Sequence, residues 1–314
     1  MQVDGLAYIA IGSGDMELSL RLYRDALGMT VHGDETVSGA AVERYYGLPP
    51  GGSVRQVMLG QQDVRYGMLQ LLDFGAAATG RVLDSATAVD HGHIKTLDVF
   101  VDDYAVASER LLAAGFQWET EPRTYPAGDI SATEGHIHAP DDVLLAIIQI
   151  HGAPRAVFAR ADGLFSEVGA SSQIVGDLAA HTRFFGEGCG FTVHYDAELT
   201  GPGVDSLVGL PEGTGLHMTI MAPEGYTTGK VGLIEYGATA AGRSLAGQSW
   251  PPRLGMLAHG FVVRELDAVC ARLAGLGGEV RVAPAPVTLA PWGQPRASAV
   301  ATPEGLRLEL VEAP

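Results

Sequence analysis

The sequence predicts an α+β fold of four βαβββ modules arranged as two repeated halves. A shift of 162 residues aligns TVHGD at 30–34 with TVHYD at 192–196, and LLDFGAAATGR at 71–81 with LIEYGATAAGR at 233–243. A constant offset over such matches indicates a tandem duplication. The 314 residues are 46% hydrophobic and 18% charged, which is typical of folded globular proteins.

The first module begins with the apolar run 5–14, a predicted strand. Asp15 is suited to cap a helix over 16–27, and Gly28 to end it. The apolar residues of this segment recur at helical spacing: Met16, Leu20, Tyr23 and Leu27. Strand-like runs follow at 29–33, 54–60 and 67–74.

The second module repeats this plan between 94 and 150. A strand at 96–101 leads to Asp103 and a helix at 104–114. Further strands are predicted near 116–119, 130–138 and 143–150. The halves are placed at 1–152 and 160–314, with 153–159 as a linker, and each half is expected to form one cleft.

Charge and hydropathy exclude several classes of function. The chain has 20 basic and 37 acidic residues, a net charge of −17, which would repel a phosphate backbone. No apolar run approaches the 20 residues of a membrane span, and the first residues lack the pattern of a signal peptide. We therefore expect a cytoplasmic protein without nucleic-acid or membrane partners.

Three phrases identify a resemblance to a known family: YIAIGSGDMELSLRLYRDALGM, DVFVDDYAVASERLLAAGF and TPEGLRLELVE. They resemble the vicinal oxygen chelate superfamily, which includes glyoxalase I, bleomycin-resistance proteins, fosfomycin-resistance enzymes and extradiol dioxygenases. The resemblance covers nearly the whole chain. It implies two domains, each a curled mixed sheet around a cleft, with a divalent metal held by residues of the first and fourth strands of each module.

The residues at these eight positions do not form such a metal site. The first half offers Tyr8, Gln70, Thr96 and Ala146, and the second offers Ala170, Gly232, Ala258 and Glu309. Methyl groups and hydrogens cannot ligate a metal, and one carboxylate does not hold a hard divalent ion by itself. We therefore expect no cofactor.

If the family's ligand position on the first strand of the fourth module is shifted by one residue, it falls on His259 instead of Ala258. His259 and Glu309 would then form a pair of ligands for Fe, Mn or Zn. Such a slip turns a side chain to the opposite face of a strand, unless a β-bulge reverses it. This pair is the fallback metal site, and His259 is also a weak candidate catalytic residue.

Other residues are candidates for ligand contacts. Arg55 and His217 align in the repeat on the third strand of each half, and Trp292 lies on a loop where it would cover an apolar ligand. Tyr8, Gln70 and Thr96 supply hydrogen-bonding groups to a cleft. His136 and His138 lie two residues apart on one strand face, where a metal pair is conceivable but no further ligand is apparent nearby.

Three functions remain open. The first is a metal-free protein that binds or sequesters a small organic molecule. The second is a cofactor-independent lyase or isomerase with Glu309 as acid or base, and the third is a metal-dependent enzyme of glyoxalase or extradiol type. The negative charge favours neutral or cationic ligands. Either a monomer or a homodimer fits the duplication.

Overall fold

A computed structural model describes residues 3–127, 130–237 and 242–312. Module 1 contains β1 (Val3–Gly12), α1 (Met16–Leu20, continued by a π-helical turn, Arg21–Ala26), β2 (Thr30–Ser38), α2 (Ala40–Tyr46), β3 (Ser53–Gly60) and β4 (Met68–Asp73). Module 2 contains β5 (His93–Val101), α3 (Tyr104–Ala113), β6 (Arg123–Ala127), β7 (Ile130–Ala139) and β8 (Val143–His151).

The second half repeats these elements. Module 3 contains β9 (Phe165–Ile174), α4 (Leu178–Arg183, continued by a π-helical turn, Phe184–Cys189), β10 (Thr192–Leu199), α5 (Pro202–Leu207), β11 (Leu216–Ala222) and β12 (Lys230–Tyr236). Module 4 contains β13 (Gly255–Val263), α6 (Leu266–Gly275), β14 (Glu279–Pro286), β15 (Arg296–Ala301) and β16 (Arg307–Glu312). The predicted α+β class with four βαβββ modules is confirmed.

The strands form two curled eight-stranded mixed sheets. Sheet I has the order β14-β15-β16-β13-β1-β4-β3-β2, and sheet II has the order β10-β11-β12-β9-β5-β8-β7-β6. The modules of each sheet meet through antiparallel first strands, β1 with β13 and β5 with β9. Each sheet leaves a concave face, which we call cleft I and cleft II.

The prediction that each half of the sequence forms its own cleft is wrong. Sheet I joins module 1 to module 4, and sheet II joins module 2 to module 3. The repeat shows that modules resemble one another, but the edge of a first strand can pair with either neighbour. The boundaries at 152 and 160 therefore describe the sequence repeat and not the sheets.

The main core lies between the convex faces of the sheets and the helices. Ile9 and Phe261 of sheet I and Leu97 and Val168 of sheet II are fully buried members of this core. At three of the helix starts an acid caps the backbone: Asp15 and Asp103, and Asp177 at the position that repeats Asp15, accept hydrogen bonds from N–H groups three residues ahead. None of the described helices is long and apolar enough to cross a membrane.

The structure differs locally from the predicted elements. The strand predicted near 116–119 is instead β6, Arg123–Ala127. Two short helices, α2 and α5, lie between the second and third strands of modules 1 and 3 and were not predicted. The signal for α2 is present in hindsight, because Val42, Tyr45 and Tyr46 are buried at helical spacing and Gly47 ends the helix with φ 64°.

Candidate functional site

The two clefts are best compared along one row of residues in register across five strands, which we call the central row. In sheet II, across β12, β9, β5, β8 and β7, it consists of Lys230, Ala170, Asp98, Ala146 and His136. In sheet I, across β4, β1, β13, β16 and β15, it consists of Met68, Tyr8, Gly260, Glu309 and Ala299. These rows decide which cleft is open.

Cleft I is closed by a buried polar triad. The Tyr8 hydroxyl donates to Glu309 Oε2 at 2.6 Å, and Arg307 Nε donates to Glu309 Oε1 at 2.8 Å. All three side chains are at most 1% exposed. Gly260 makes room for the Tyr8 ring, since a Cβ there would lie 2.2 Å from it. The Glu309 carboxylate is thus fully engaged inside the protein.

Aromatic rings complete the closure of cleft I. The Arg307 guanidinium lies 4.8 Å from the ring of Tyr45 and 4.9 Å from that of Trp250. The Trp292 ring lies with its centroid 5.3 Å from that of Tyr8. Burial raises the pKa of Tyr8 well above its ordinary value, and the Glu309 charge raises it further. Tyr8 therefore stays a neutral hydrogen-bond donor.

Cleft II contains an open cavity of about 270 Å³. Small residues at the central row, Ala170 and Ala146, replace the large Tyr8 and Glu309 of the other sheet. Most of the remaining wall is apolar: Phe100, Ile148, Ile150, Phe158, Leu199, Val208, Leu216, Met218, Ile220 and Ile234. Phe158, from the predicted linker, stacks on Phe100 with ring centroids 5.6 Å apart.

One wall of cleft II carries a hydrogen-bonded polar cluster. The Tyr125 hydroxyl donates to Glu134 Oε2, and His136 Nε2 donates to Glu134 Oε1 at 2.8 Å. The His136 side chain is 2% exposed and that of Glu134 is 12% exposed. Burial, followed by the Glu134 charge, raises the pKa of Tyr125 well above its ordinary value. The cluster fixes a carboxylate beside the cavity.

Asp98 lies in the middle of the central row and lines the cavity. Burial raises the pKa of its carboxyl to about 7, the Glu134 charge adds to the rise, and the Thr96 hydroxyl opposes it. At the end of the same row, burial lowers the pKa of the Lys230 ammonium. Cleft II thus combines an apolar pocket with an acid whose pKa is close to neutral pH.

The structure separates the sequence-predicted site residues. Tyr8, Gln70 and Glu309 are fully buried in sheet I, with Trp292 packed against Tyr8. Thr96 instead lines cleft II. Glu309 points inward, as expected, but it is tied to Arg307 and Tyr8.

Three further candidates point away from the clefts. His259 is buried on the convex face, where Nε2 contacts Ser171 Oγ at 3.0 Å, and burial lowers its pKa to about 3. It pairs in register with Leu308 and not with Glu309, so the fallback metal pair lies on opposite faces of the sheet. Arg55 binds Asp34 at 2.9 Å and His217 binds Asp196 at 2.7 Å, both at the protein surface.

The metal positions implied by the family do not fit a metal in either cleft. Cleft II offers Thr96, Ala146, Ala170 and Gly232. In cleft I the guanidinium of Arg307 already neutralises Glu309, the only carboxylate of the set. Across residues 3–127, 130–237 and 242–312, no group of three His, Cys, Asp or Glu side chains is arranged to hold an ion.

Sequence reasoning missed Asp98, Tyr125, Glu134 and Lys230. A signal existed for Asp98, because residues two apart on a strand share a face and Thr96 was already assigned to a cleft. Glu134 and His136 form a similar pair in TEGH. Lys230 and Tyr125 gave no signal, since their place depends on which modules share a sheet.

Comparisons with known proteins agree with this fold. A comparison with curated protein sequences found no match. Among solved structures, glyoxalase I from Zea mays is 15% identical with a TM-score of 0.65, over 99% of this chain and 92% of that one. A mutant of the same maize protein is 16% identical with a TM-score of 0.64, again over 99% and 92% of the two chains. These likenesses concern the fold alone.

Residues 5–147 match the family model described as the Glyoxalase/Bleomycin resistance protein/Dioxygenase superfamily. The four βαβββ modules and the two curled sheets extend the same architecture over the rest of the described chain. Over residues 5–147 the sequence is therefore similar to the glyoxalase, bleomycin resistance protein and dioxygenase superfamily, and the described chain shares the fold of glyoxalase I from Zea mays.

Proposed function

We propose that the protein binds a small organic molecule in cleft II without a resident metal. The observation that carries this proposal is the open cavity of about 270 Å³, with its mostly apolar wall and one polar cluster. Small-molecule sites generally combine an apolar pocket with a few placed polar groups. The Bleomycin resistance protein branch in the family description is a precedent for binding as a function of this fold.

The ligand we propose has an apolar, planar body and at least one hydrogen-bonding end. The stacked rings of Phe100 and Phe158 suit a flat apolar group. The Glu134 carboxylate and the Asp98 carboxyl suit a donor or a cationic group. A neutral or cationic ligand also agrees with the net charge of −17.

The two alternative functions find less support. Glu309 as the acid or base of a lyase would need access to a substrate, and it is fully buried against Tyr8 and Arg307. A metal-dependent enzyme would need ligands that Ala146, Ala170 and Gly232 do not supply. Neither alternative uses the open cavity.

Titration with the neutral fluorescent dye 1-aminoanthracene tests the proposal. We expect saturable binding that survives prior dialysis against EDTA. Ala170→Tyr, which copies Tyr8 of the other sheet, should weaken binding at least tenfold by filling the cavity. Val106→Tyr is the matched control, because Val106 is half-exposed on α3, outside the cavity.

The tyrosine ring introduced by Ala170→Tyr would press against Asp98, the partner of Ala170 in the strand register. If Ala170→Tyr does not fold, the double variant Ala170→Tyr, Asp98→Gly copies the Tyr8–Gly260 pair and provides the space. A folded variant with a filled cavity and an unchanged dye affinity would contradict the proposal. Loss of binding after EDTA would contradict its metal-free part.

A further inference from the structure

The central row of sheet II alternates functional and small side chains. Lys230, Asp98 and His136 are separated by Ala170 and Ala146, one residue per strand. Neighbouring strands lie about 4.8 Å apart, so successive functional residues have Cα atoms roughly 10 Å apart. The two methyl groups leave open space between the longer side chains. A ligand over Ala170 would therefore have an amine on one side and a carboxyl on the other.

Neither Asp98 nor Lys230 is compensated by an ion pair. Within the described ranges, no oppositely charged side-chain atom lies within 4 Å of either group, in contrast to pairs such as Arg307–Glu309. The Lys230 ammonium instead lies 5.8 Å from the ring centroid of Phe158. Burying charged groups without partners is costly. Their presence in an open cleft is more readily explained by contact with a ligand than by stability of the fold.

We propose that Asp98 acts as a general base on the ligand of cleft II and that Lys230 stabilises the oxygen anion that forms. The inference rests on the proposed binding function. The substrate class is an organic molecule with an acidic C–H bond conjugated to an oxygen, such as an enolisable carbonyl compound. The reaction class is proton transfer without a metal or redox cofactor.

The proposed step balances without a co-reactant. The C–H bond breaks, its proton passes to an Asp98 carboxylate oxygen, and the electron pair moves to the carbonyl oxygen as an enolate. The Lys230 ammonium neutralises that oxygen. Return of the proton from Asp98 to carbon, at a different position or face, gives an isomer and regenerates the carboxylate.

The titratable surroundings of Asp98 agree with this role. The titratable groups that line the same cavity are Lys95 from its own strand, Tyr125 from β6, Glu134 and His136 from β7, His194 and Tyr195 from β10, and Lys230 and Tyr236 from β12. Glu134, held by Tyr125 and His136, is the charge that raises the Asp98 pKa after burial itself. A base with a pKa near 7 is well matched to neutral solution.

The experiment uses 5-nitrobenzisoxazole, a flat carbon acid that reports proton abstraction directly. A base removes its ring C–H proton, the N–O bond breaks, and the electron pair ends on a coloured phenolate. We expect the protein to accelerate this reaction above free acetate at the same pH, with a rate that rises through about pH 7. 1-Aminoanthracene should inhibit competitively.

Three variants assign the roles. Asp98→Asn should lower kcat at least 100-fold, the usual contribution of a general base. Glu134→Gln should move the midpoint of the pH profile to lower pH, because it removes a charge that raises the Asp98 pKa, and loss of a merely structural contact would not do this. Lys230→Met, which copies Met68 of the other sheet, should lower kcat about tenfold without moving that midpoint.

Asp196→Asn is the matched control, because Asp196 pairs with His217 at the surface of the same sheet. It should leave the rate unchanged. A wild-type rate equal to that of folded Asp98→Asn, while both proteins bind 1-aminoanthracene, would overturn proton transfer and leave the binding function standing. Absence of dye binding in the wild type would instead refute the binding function, and an Asp98-independent rate would then refute both.

Discussion

Cleft I and cleft II are built from the same repeat, yet their central rows are complementary. Sheet I has its polar side chains at the second and fourth positions, Tyr8 and Glu309, where sheet II has alanines. Sheet II has them at the first, third and fifth positions, where sheet I has Met68, Gly260 and Ala299. The strands that have large or charged side chains in one sheet therefore have small or apolar side chains in the other.

This difference teaches how one scaffold gives a sealed core and an open pocket. In cleft I the large residues meet and neutralise each other, so Arg307, Glu309 and Tyr8 satisfy their hydrogen bonds internally. In cleft II the functional residues are spaced apart by alanine, so they face the cavity instead of one another. A closed network contributes to stability, and an open one leaves polar groups for a ligand.

The largest expected effect comes from breaking the closed network. Glu309→Gln leaves the Arg307 guanidinium buried without a counter-charge, which costs about 3–5 kcal/mol in the free energy of unfolding. Chemical denaturation measures this cost. Glu279→Gln is the control, because its ion pair with Arg281 is exposed and such pairs contribute about 0–1 kcal/mol. Equal effects of the two substitutions would show that cleft I is not sealed.

A smaller effect on the free energy of unfolding, of opposite sign, is expected for a substitution in cleft II. The Asp98 pKa of about 7 lies above the unfolded value near 3.9, so the folded state binds the proton more tightly. The free energy of unfolding therefore falls as pH rises from about 4 to about 7. Asp98→Asn removes this loss. We therefore expect its free energy of unfolding to exceed that of the wild type by about 1–2 kcal/mol between pH 5 and pH 8.

Denaturation of wild type and Asp98→Asn at a series of pH values tests this expectation. Asp196→Asn provides a control of opposite sign, since hydrogen bonds from His217 and Thr219 lower the pKa of Asp196. That substitution should lose stability relative to the wild type as pH rises through about 4. Parallel pH profiles for Asp98→Asn and the wild type would mean that Asp98 is not buried in a neutral form.

The smallest effects on stability and binding are expected for Arg55 and His217, which occupy equivalent positions in the repeat. His217→Gln and Arg55→Gln remove groups that bind Asp196 and Asp34 outside the clefts. Each should change the free energy of unfolding by less than about 1 kcal/mol and leave the 1-aminoanthracene affinity within twofold. A tenfold loss of affinity in either variant would extend the ligand site to the third strands.

The sequence was sufficient for the modules but not for their pairing. The repeat and the helix caps at Asp15 and Asp103 predicted the order of elements, because these signals are local. Which first strands pair depends on contacts between β1 and β13, about 250 residues apart, and no local pattern encodes them. The error placed Thr96 in one cleft with Tyr8 and Gln70, whereas Thr96 lines cleft II beside Asp98.

Glu309 illustrates a second limit. Its position in RLELVE correctly predicted an inward side chain, because strand alternation fixes the face. The same alternation also places Arg307 on the inward face, but Tyr8 was not predictable as a partner, since it comes from the other end of the chain. The family position thus predicted which way the Glu309 side chain points. It did not predict that hydrogen bonds from Tyr8 and Arg307 occupy the carboxylate, so that a ligand cannot reach it.

The module pairing has a consequence for synthesis of the chain. Sheet II uses one continuous stretch, 93–236, whereas sheet I joins 3–73 to 255–312 around it. On the ribosome, sheet II can be completed before module 4 has emerged, while the edge of β1 that later pairs with β13 is still unpaired. The pocket-bearing sheet would then form first as a nested unit, and the sealed sheet, with its longer loop closure, would finish folding last.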